Sequence, residues 1–247
     1  NFNTSAVTNM GKMFTNCSSL EYLNLTIFNT SNVTNLDSIF LNCSSLISIN
    51  ISSFDTSKVT NMDTMFYNCS SLLSLDLDHF VTEKIINMSG LFAFCKNLET
   101  LEINNFNTSG VTNMNSMFFN CSNLISLNLS SFETMRVTDM DFMFSNCSKL
   151  TSLDINNFET FNVTTMASLF DGCNDLEDLN ITLLDTSNVT NMTSMFKDCY
   201  SLLELNLSNF ITSNVTNMSY MFNNCSNIIL LDLSNFDVSS VVDMEYM

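Results

Sequence analysis

The sequence predicts an α/β solenoid of nine full 26-residue repeats and a partial one, with a parallel sheet on one face and short helices on the other. Three observations carry this expectation. A phenylalanine recurs at Phe2, Phe28, Phe54, Phe80, Phe106, Phe132, Phe158, Phe210 and Phe236, with Leu184 filling the one gap. A cysteine keeps the same beat from Cys17 through Cys43, Cys69, Cys95, Cys121, Cys147, Cys173 and Cys199 to Cys225, so no residue is inserted or lost. Within each period, apolar residues recur first at steps of three and four and then alternate, which reads as a helix face followed by a strand. A fixed period of about 20–50 residues marks a repeat array in which each unit contacts only its neighbours.

Each element follows in chain order. Thr4 heads a column that runs Thr30, Thr56, Thr82, Thr108, Thr134, Thr160, Thr186 and Thr212. Hydroxyls at turns bond local backbone, and that is the role expected here. Val7, Met10, Met13, Phe14 and Cys17 then fall on one helix face. Asn9 and its equivalents Asn35, Asn61, Asn87, Asn113, Asp139, Thr165, Asn191, Asn217 and Asp243 are suited to cap the start of that helix. The Asn16 column (Asn42, Asn68, Phe94, Asn120, Asn146, Gly172, Asp198, Asn224) is rich in residues that accept the left-handed conformation ending helices. The helix expected over residues 10–15 is under two turns long and needs its stacked neighbours.

Leu20-x-x-Leu23-x-Leu25 follows, and its last part alternates as a strand does. The L-x-x-L-x-L pattern, with one strand and one short helix per coil, is the leucine-rich-repeat signature. Successive strands at about 4.8 Å would make a parallel sheet about 45 Å long. A single coil buries too little apolar surface to offset its ordering entropy, so the fold requires stacking. The cysteines follow the apolar Met-x-x-Met-Phe pattern and read as a ladder of buried free thiols. Helices stacked at about 8–10 Å would hold neighbouring rungs beyond the reach of a disulfide. No C-x₂₋₄-C pair suggests zinc, and no cofactor or metal is expected.

Composition narrows the function. The net charge is −18, which excludes nucleic acid and anionic membrane as partners. No apolar run approaches a membrane span, so no membrane insertion is expected in this segment. Only 13% of residues are charged, and Asn, Ser and Thr build the solvent side. His79, the one histidine, stands near Asp76 and Asp78 without any nucleophile motif, so no enzyme is expected. Residues 1–247 read as a single domain that begins and ends inside a repeat, as a piece of a longer chain would.

The unit C-S-x-L-x-x-L-x-L-x-x-F-x-T-S-x-V-T-N-M-x-x-M-F-x-N-C resembles the repeat of BspA-like leucine-rich-repeat surface proteins, and the resemblance spans the chain. It departs most at Ile86, Phe94 and Lys96. The resemblance implies an extracellular, cell-surface protein that mediates adhesion by binding a protein or glycan. The alternative is a structural filament formed by head-to-tail self-association.

Two surfaces are candidates. With Leu23 and Leu25 inward, the outward strand positions carry Asp76, Asp78, Glu102, Asn128, Asp154, Asp178, Glu204 and Asp232, with no Lys or Arg. Such an acidic and amide face suits a basic protein, a sugar or Ca²⁺. Phe119, Met135, Phe142 and Phe161 replace polar residues in three consecutive coils, off the sheet. Stacking is expected to gather them into a partner patch.

Overall fold

A computed structural model describes residues 3–247; Phe2, which heads the phenylalanine column, lies outside them. The chain winds so that each residue lies beside the one 26 positions on, as in the parallel register Tyr22↔Ser48, Leu23↔Ile49, Asn24↔Asn50. The strands are β1 (Tyr22–Asn24), β2 (Ser48–Asn50), β3 (Ser74–Asp76), β4 (Thr100–Glu102), β5 (Ser152–Asp154) and β6 (Asp178–Asn180). The middle residue of each points inward and its neighbours outward.

The expected helices are absent: no helix occurs among the described residues. Residues 10–17 form successive tight turns instead. Met13 N–H donates to Met10 O, Thr15 N–H to Lys12 O and Cys17 N–H to Phe14 O. The alternate amides point along the stack: Met10, Lys12, Phe14 and Asn16 donate to Asn35, Asp37, Ile39 and Leu41 of the next coil at 2.8–3.0 Å. This arrangement recurs in full at most coil junctions. In a helix those amides would bond to their own chain and leave nothing for the neighbour; a helix this short has little stability to set against that loss. The predicted face is nevertheless the buried one, since Leu36, Ile39, Phe40 and Cys43 are all fully buried.

Two residues per coil adopt left-handed backbone. One is the Asn16 column, as expected, at φ 63° in Asn16 itself. The other is the Lys12 column, where Lys12, Ser38, Thr64, Gly90, Ser116, Phe142, Ser168, Ser194, Tyr220 and Tyr246 all have positive φ. A positive φ at the third residue of a tight turn is the type II signature, which most side chains disfavour.

The core is organised in ladders. Phe14, Phe40, Phe66, Phe92, Phe118, Phe144, Phe170, Phe196 and Phe222 stack with ring centroids 5.4–5.9 Å apart and planes within 1–26°. The cysteines are free, and those from Cys43 to Cys199 are buried. Each thiol from Cys43 to Cys225 donates to the carbonyl of the stacked phenylalanine one coil back, as Cys95 Sγ does to Phe66 O at 3.2 Å. Backbone bonding brings the coils closer than the helix spacing expected from sequence. The thiols are free, and from Cys43 on they lie in hydrogen bonds to carbonyls.

The Thr4 column also corrects its expected role. Thr108 Oγ1 donates to Glu133 O and accepts from Glu133 N–H, both at 2.8 Å, so the hydroxyl bridges to the next coil and not to local backbone. Thr30, Thr56, Thr82, Thr160, Thr186 and Thr212 repeat the pair of bonds.

The strand side is less continuous than one long sheet. Strands pair only as β1–β2, β3–β4 and β5–β6. Outside the pairs the backbone contacts are sparser: Leu73 N–H to Ile47 O is 3.4 Å, Thr151 N–H to Ile125 O is 3.5 Å, and an isolated bridge joins Glu204 to Leu230, with Ile229 N–H to Leu203 O at 2.9 Å. Among the described residues, no backbone hydrogen bond joins 177–181 to 203–207. The strands are short because an Asn or Asp at their end turns the chain. Asn24 Oδ1, for example, accepts from Thr26 N–H at 3.0 Å.

Candidate functional site

The outward strand face is the first candidate, and the structure divides its residues into two groups. The first spans the coils around β3 and β4, where Asp76 and Glu102 lie directly opposite one another. Like charges in that relation repel. Asn104 ties Glu102 to Asp78: its side-chain amide donates to Asp78 Oδ2 at 3.0 Å and Glu102 Oε2 at 2.9 Å, and its backbone N–H donates to Asp78 Oδ1 at 2.7 Å. Asn128 donates in turn to Asn104 Oδ1 at 2.7 Å. These side chains are committed to one another.

The second group lines two hollows. One, of about 530 Å³, is bounded by Glu177, Asp178, Glu204 and Asp232 over an apolar floor that includes Leu179, Leu205 and Leu207. The other, of about 300 Å³, lies beside it against Ser152, Leu153, Asp154, Asp178, Leu179 and Asn180. The larger hollow lies over the open junction between 177–181 and 203–207. Asp178, Glu204 and Asp232 are the acids of the predicted set that line it.

Several residues of the face also serve the backbone. Asp76, Asn128, Asp154 and Asp232 each accept the N–H two residues on, at 2.9–3.1 Å. Bonds from Ser234 hold the Asp232 carboxyl below the usual carboxylate range. Sequence reasoning missed this turn role, although the spacing Asn24-x-Thr26, Asn50-x-Ser52 and Asp232-x-Ser234 carries its signal. His79 belongs to a column that bonds the previous coil: its Nε2 lies 3.1 Å from Ile51 O, where Asn157 and Asn235 elsewhere donate to Leu129 O and Leu207 O. Among the described residues, no group of three or more His, Cys, Asp or Glu is placed to hold a metal ion. No helix among them is long and apolar enough to cross a membrane.

The second candidate, the aromatic patch, is partly assembled. Phe119 and Phe142 meet edge to face at 6.0 Å. Met135 and Phe161 occupy equivalent places in adjacent coils, 43% and 42% exposed, and no ring contact joins Phe161 to the other two among the described residues. Phe119 contacts Phe94 instead, at 5.0 Å, and Phe94 contacts Tyr67 at 5.2 Å.

Among solved structures, the chain is similar to a leucine-rich cell surface protein from Faecalibacterium prausnitzii, at 17% identity over 96% of this chain and 75% of that one, with a TM-score of 0.36. It is similar to a leucine-rich repeat protein from Bacteroides ovatus, at 20% identity over 97% of this chain and 66% of that one, with a TM-score of 0.44. It is also similar to an internalin from Listeria monocytogenes, at 18% identity over 93% and 81% of the two chains, with a TM-score of 0.30. Among curated proteins no match is found. The family described as "Mycoplasma protein of unknown function, DUF285" matches residues 1–100, 71–175 and 150–247, which together span the sequence, and the chain belongs to that family.

Proposed function

We propose that this chain is a non-enzymatic cell-surface protein that mediates adhesion by binding a protein or glycan through its strand face. Residues 1–247 act in this reading as one solenoid domain. The observation that carries it is the hollow of about 530 Å³ over the open strand junction, with carboxylates on its rim and leucines on its floor. Carboxylates unpaired with any Lys or Arg suit hydroxyl donors or cations, and leucines suit the apolar side of a sugar ring or a long side chain. The resemblance of the repeat to BspA-like surface proteins supports the location and the adhesive role.

The test is an array of glycans and matrix proteins probed with the native chain and with an Asp178→Asn, Glu204→Gln double variant. A hit that weakens in the folded variant, without turnover of the ligand, supports the reading. An array with no hit, or hits indifferent to the variant, overturns the assignment to this face. Sedimentation on the same sample tests the filament alternative, since mass that grows without a ceiling as concentration rises would favour self-association.

A further inference from the structure

We propose that Tyr67, Phe94, Phe119 and Phe142 form a second binding surface, on the turn side of the stack, for a cationic protein segment that lays Arg or Lys side chains over the rings. The surface uses none of the strand-face residues, so it stands or falls separately from the function proposed above.

The four rings run in unbroken contact from Tyr67 to Phe94 at 5.2 Å, to Phe119 at 5.0 Å and to Phe142 at 6.0 Å. Their planes meet at 59°, 86° and 72°. The buried phenylalanine ladder is parallel, and each of its rings is covered by its neighbours. Edge-to-face contact leaves ring faces that a neighbouring ring does not cover. Phe142 is 39% exposed, and the other three are half-buried.

Two of the four are poor choices for the backbone they occupy. Phe94 has φ 63° and Phe142 φ 58°, in columns otherwise held mainly by Asn, Ser, Asp and Gly. The left-handed region is disfavoured for bulky L residues. Phe94 is the one aromatic residue in its column, and Phe142 shares its own with Tyr220 and Tyr246, so both rings occupy their positions at a local backbone cost.

Charge selects the occupant. The segments 61–68, 87–94, 113–120 and 139–146 that present the strip contain Asp63, Asp139 and Asp141 and no Lys or Arg; the bases Lys96 and Arg136 lie outside them. A chain of net charge −18 is repelled by a second copy. Guanidinium and ammonium groups are attracted both to aromatic faces and to an acidic chain that carries no base in these segments.

The test uses short synthetic peptides alternating Arg with Leu, and controls with citrulline for Arg. Binding is measured on the native chain and on a Phe94→Asn, Phe142→Ser variant. That variant changes no charge and installs residue types found elsewhere in each column. The expected result is binding of the Arg peptide, weakened about tenfold in the variant, with an unfolding midpoint that holds or rises as the backbone strain is released. Phe119→Ser, at a position of ordinary φ, is expected to weaken binding as well and serves if the double variant fails to fold. Equal affinity for native and variant chains, or equal affinity for Arg and citrulline peptides, would overturn the proposal. Self-association of the native chain that the variant abolishes would also overturn it, by making the occupant a second copy. A folded variant that is clearly less stable would assign the rings to the fold and overturn it too.

Discussion

At the residue scale, polar side chains carry much of the connection between coils. Asn35, Asn61, Asn87 and Asn113 each accept the N–H two residues on. Thr165 breaks that column, and Asp141 of the preceding coil takes over: its Oδ1 accepts Ala167 N–H at 2.6 Å and also the Thr165 hydroxyl. The Thr108 hydroxyl satisfies both backbone groups of Glu133 while fully buried. Thr108→Val keeps the shape and orphans both groups, so it is expected to cost about 2–4 kcal/mol in denaturant unfolding. Thr108→Ser keeps the hydroxyl and is expected to cost less, although Val favours extended backbone more. Equal stability of the Val variant and the native chain would remove the bridging role. The columns themselves were legible in the sequence. Their bonding was not, because a conserved spacing of 26 residues does not say whether a hydroxyl bonds its own coil or the next.

At the element scale, the periodic pattern identified the buried face and missed the backbone that presents it. Steps of three and four arise from a helix, and equally from two consecutive four-residue turns. The Asn16 column signalled one left-handed residue through its Asn and Gly members. The Lys12 column, mostly Lys, Ser, Thr, Phe and Tyr, gave no such signal. Among the described residues, most of these amides bond the next coil, while Thr64, Asn224 and Tyr246 hold the same conformation without such a bond. The strand was read in its right place and its burial was right, but its length was set by the Asn or Asp turn at its end. The thiol ladder is a third element with a chemical consequence. Burial pushes the thiol of Cys43 up to about 11 and those of Cys95 and Cys147 up to about 12. Only the thiolate reacts readily. A chromogenic disulfide reagent at pH 8 is therefore expected to leave Cys43 through Cys199 unlabelled in the native chain and to label all nine cysteines in denaturant. Rapid native labelling of Cys95 or Cys121 would contradict the ladder.

At the scale of the whole molecule, charge and continuity decide the behaviour. Burial holds the carboxyls of Asp63, Asp141 and Asp171 above their ordinary value of 3.8. For these groups the folded chain binds the proton more tightly than the unfolded chain, so stability rises as pH falls through the folded-state values. Hydrogen bonds from Ser57, Ser234 and Ser239 hold Asp55, Asp232 and Asp237 below 3.8, and their support is lost only at lower pH still. Titrating carboxylates also relaxes the self-repulsion of a −18 chain. Thermal unfolding is therefore expected to shift upward from pH 7 to about 4.5, with a smaller rise for Asp141→Asn, in which the oxygen can still accept its bonds. A midpoint that falls over that window would contradict this. The acidic face was legible in the sequence as a set of outward positions. Which of its members line a hollow was not, because that depends on where the strand ladder opens.

That opening is the feature on which the functional reading depends: the turn side binds coil to coil, and the strand side is left partly unpaired. Residue-resolved hydrogen exchange tests it most directly. The expected pattern is slow exchange recurring every 26 residues at the amides of Lys12, Phe14, Asn16 and their equivalents, with fast exchange across 203–207. Protection across 203–207 equal to that of the turn side would show a continuous sheet there, and would contradict an open strand face.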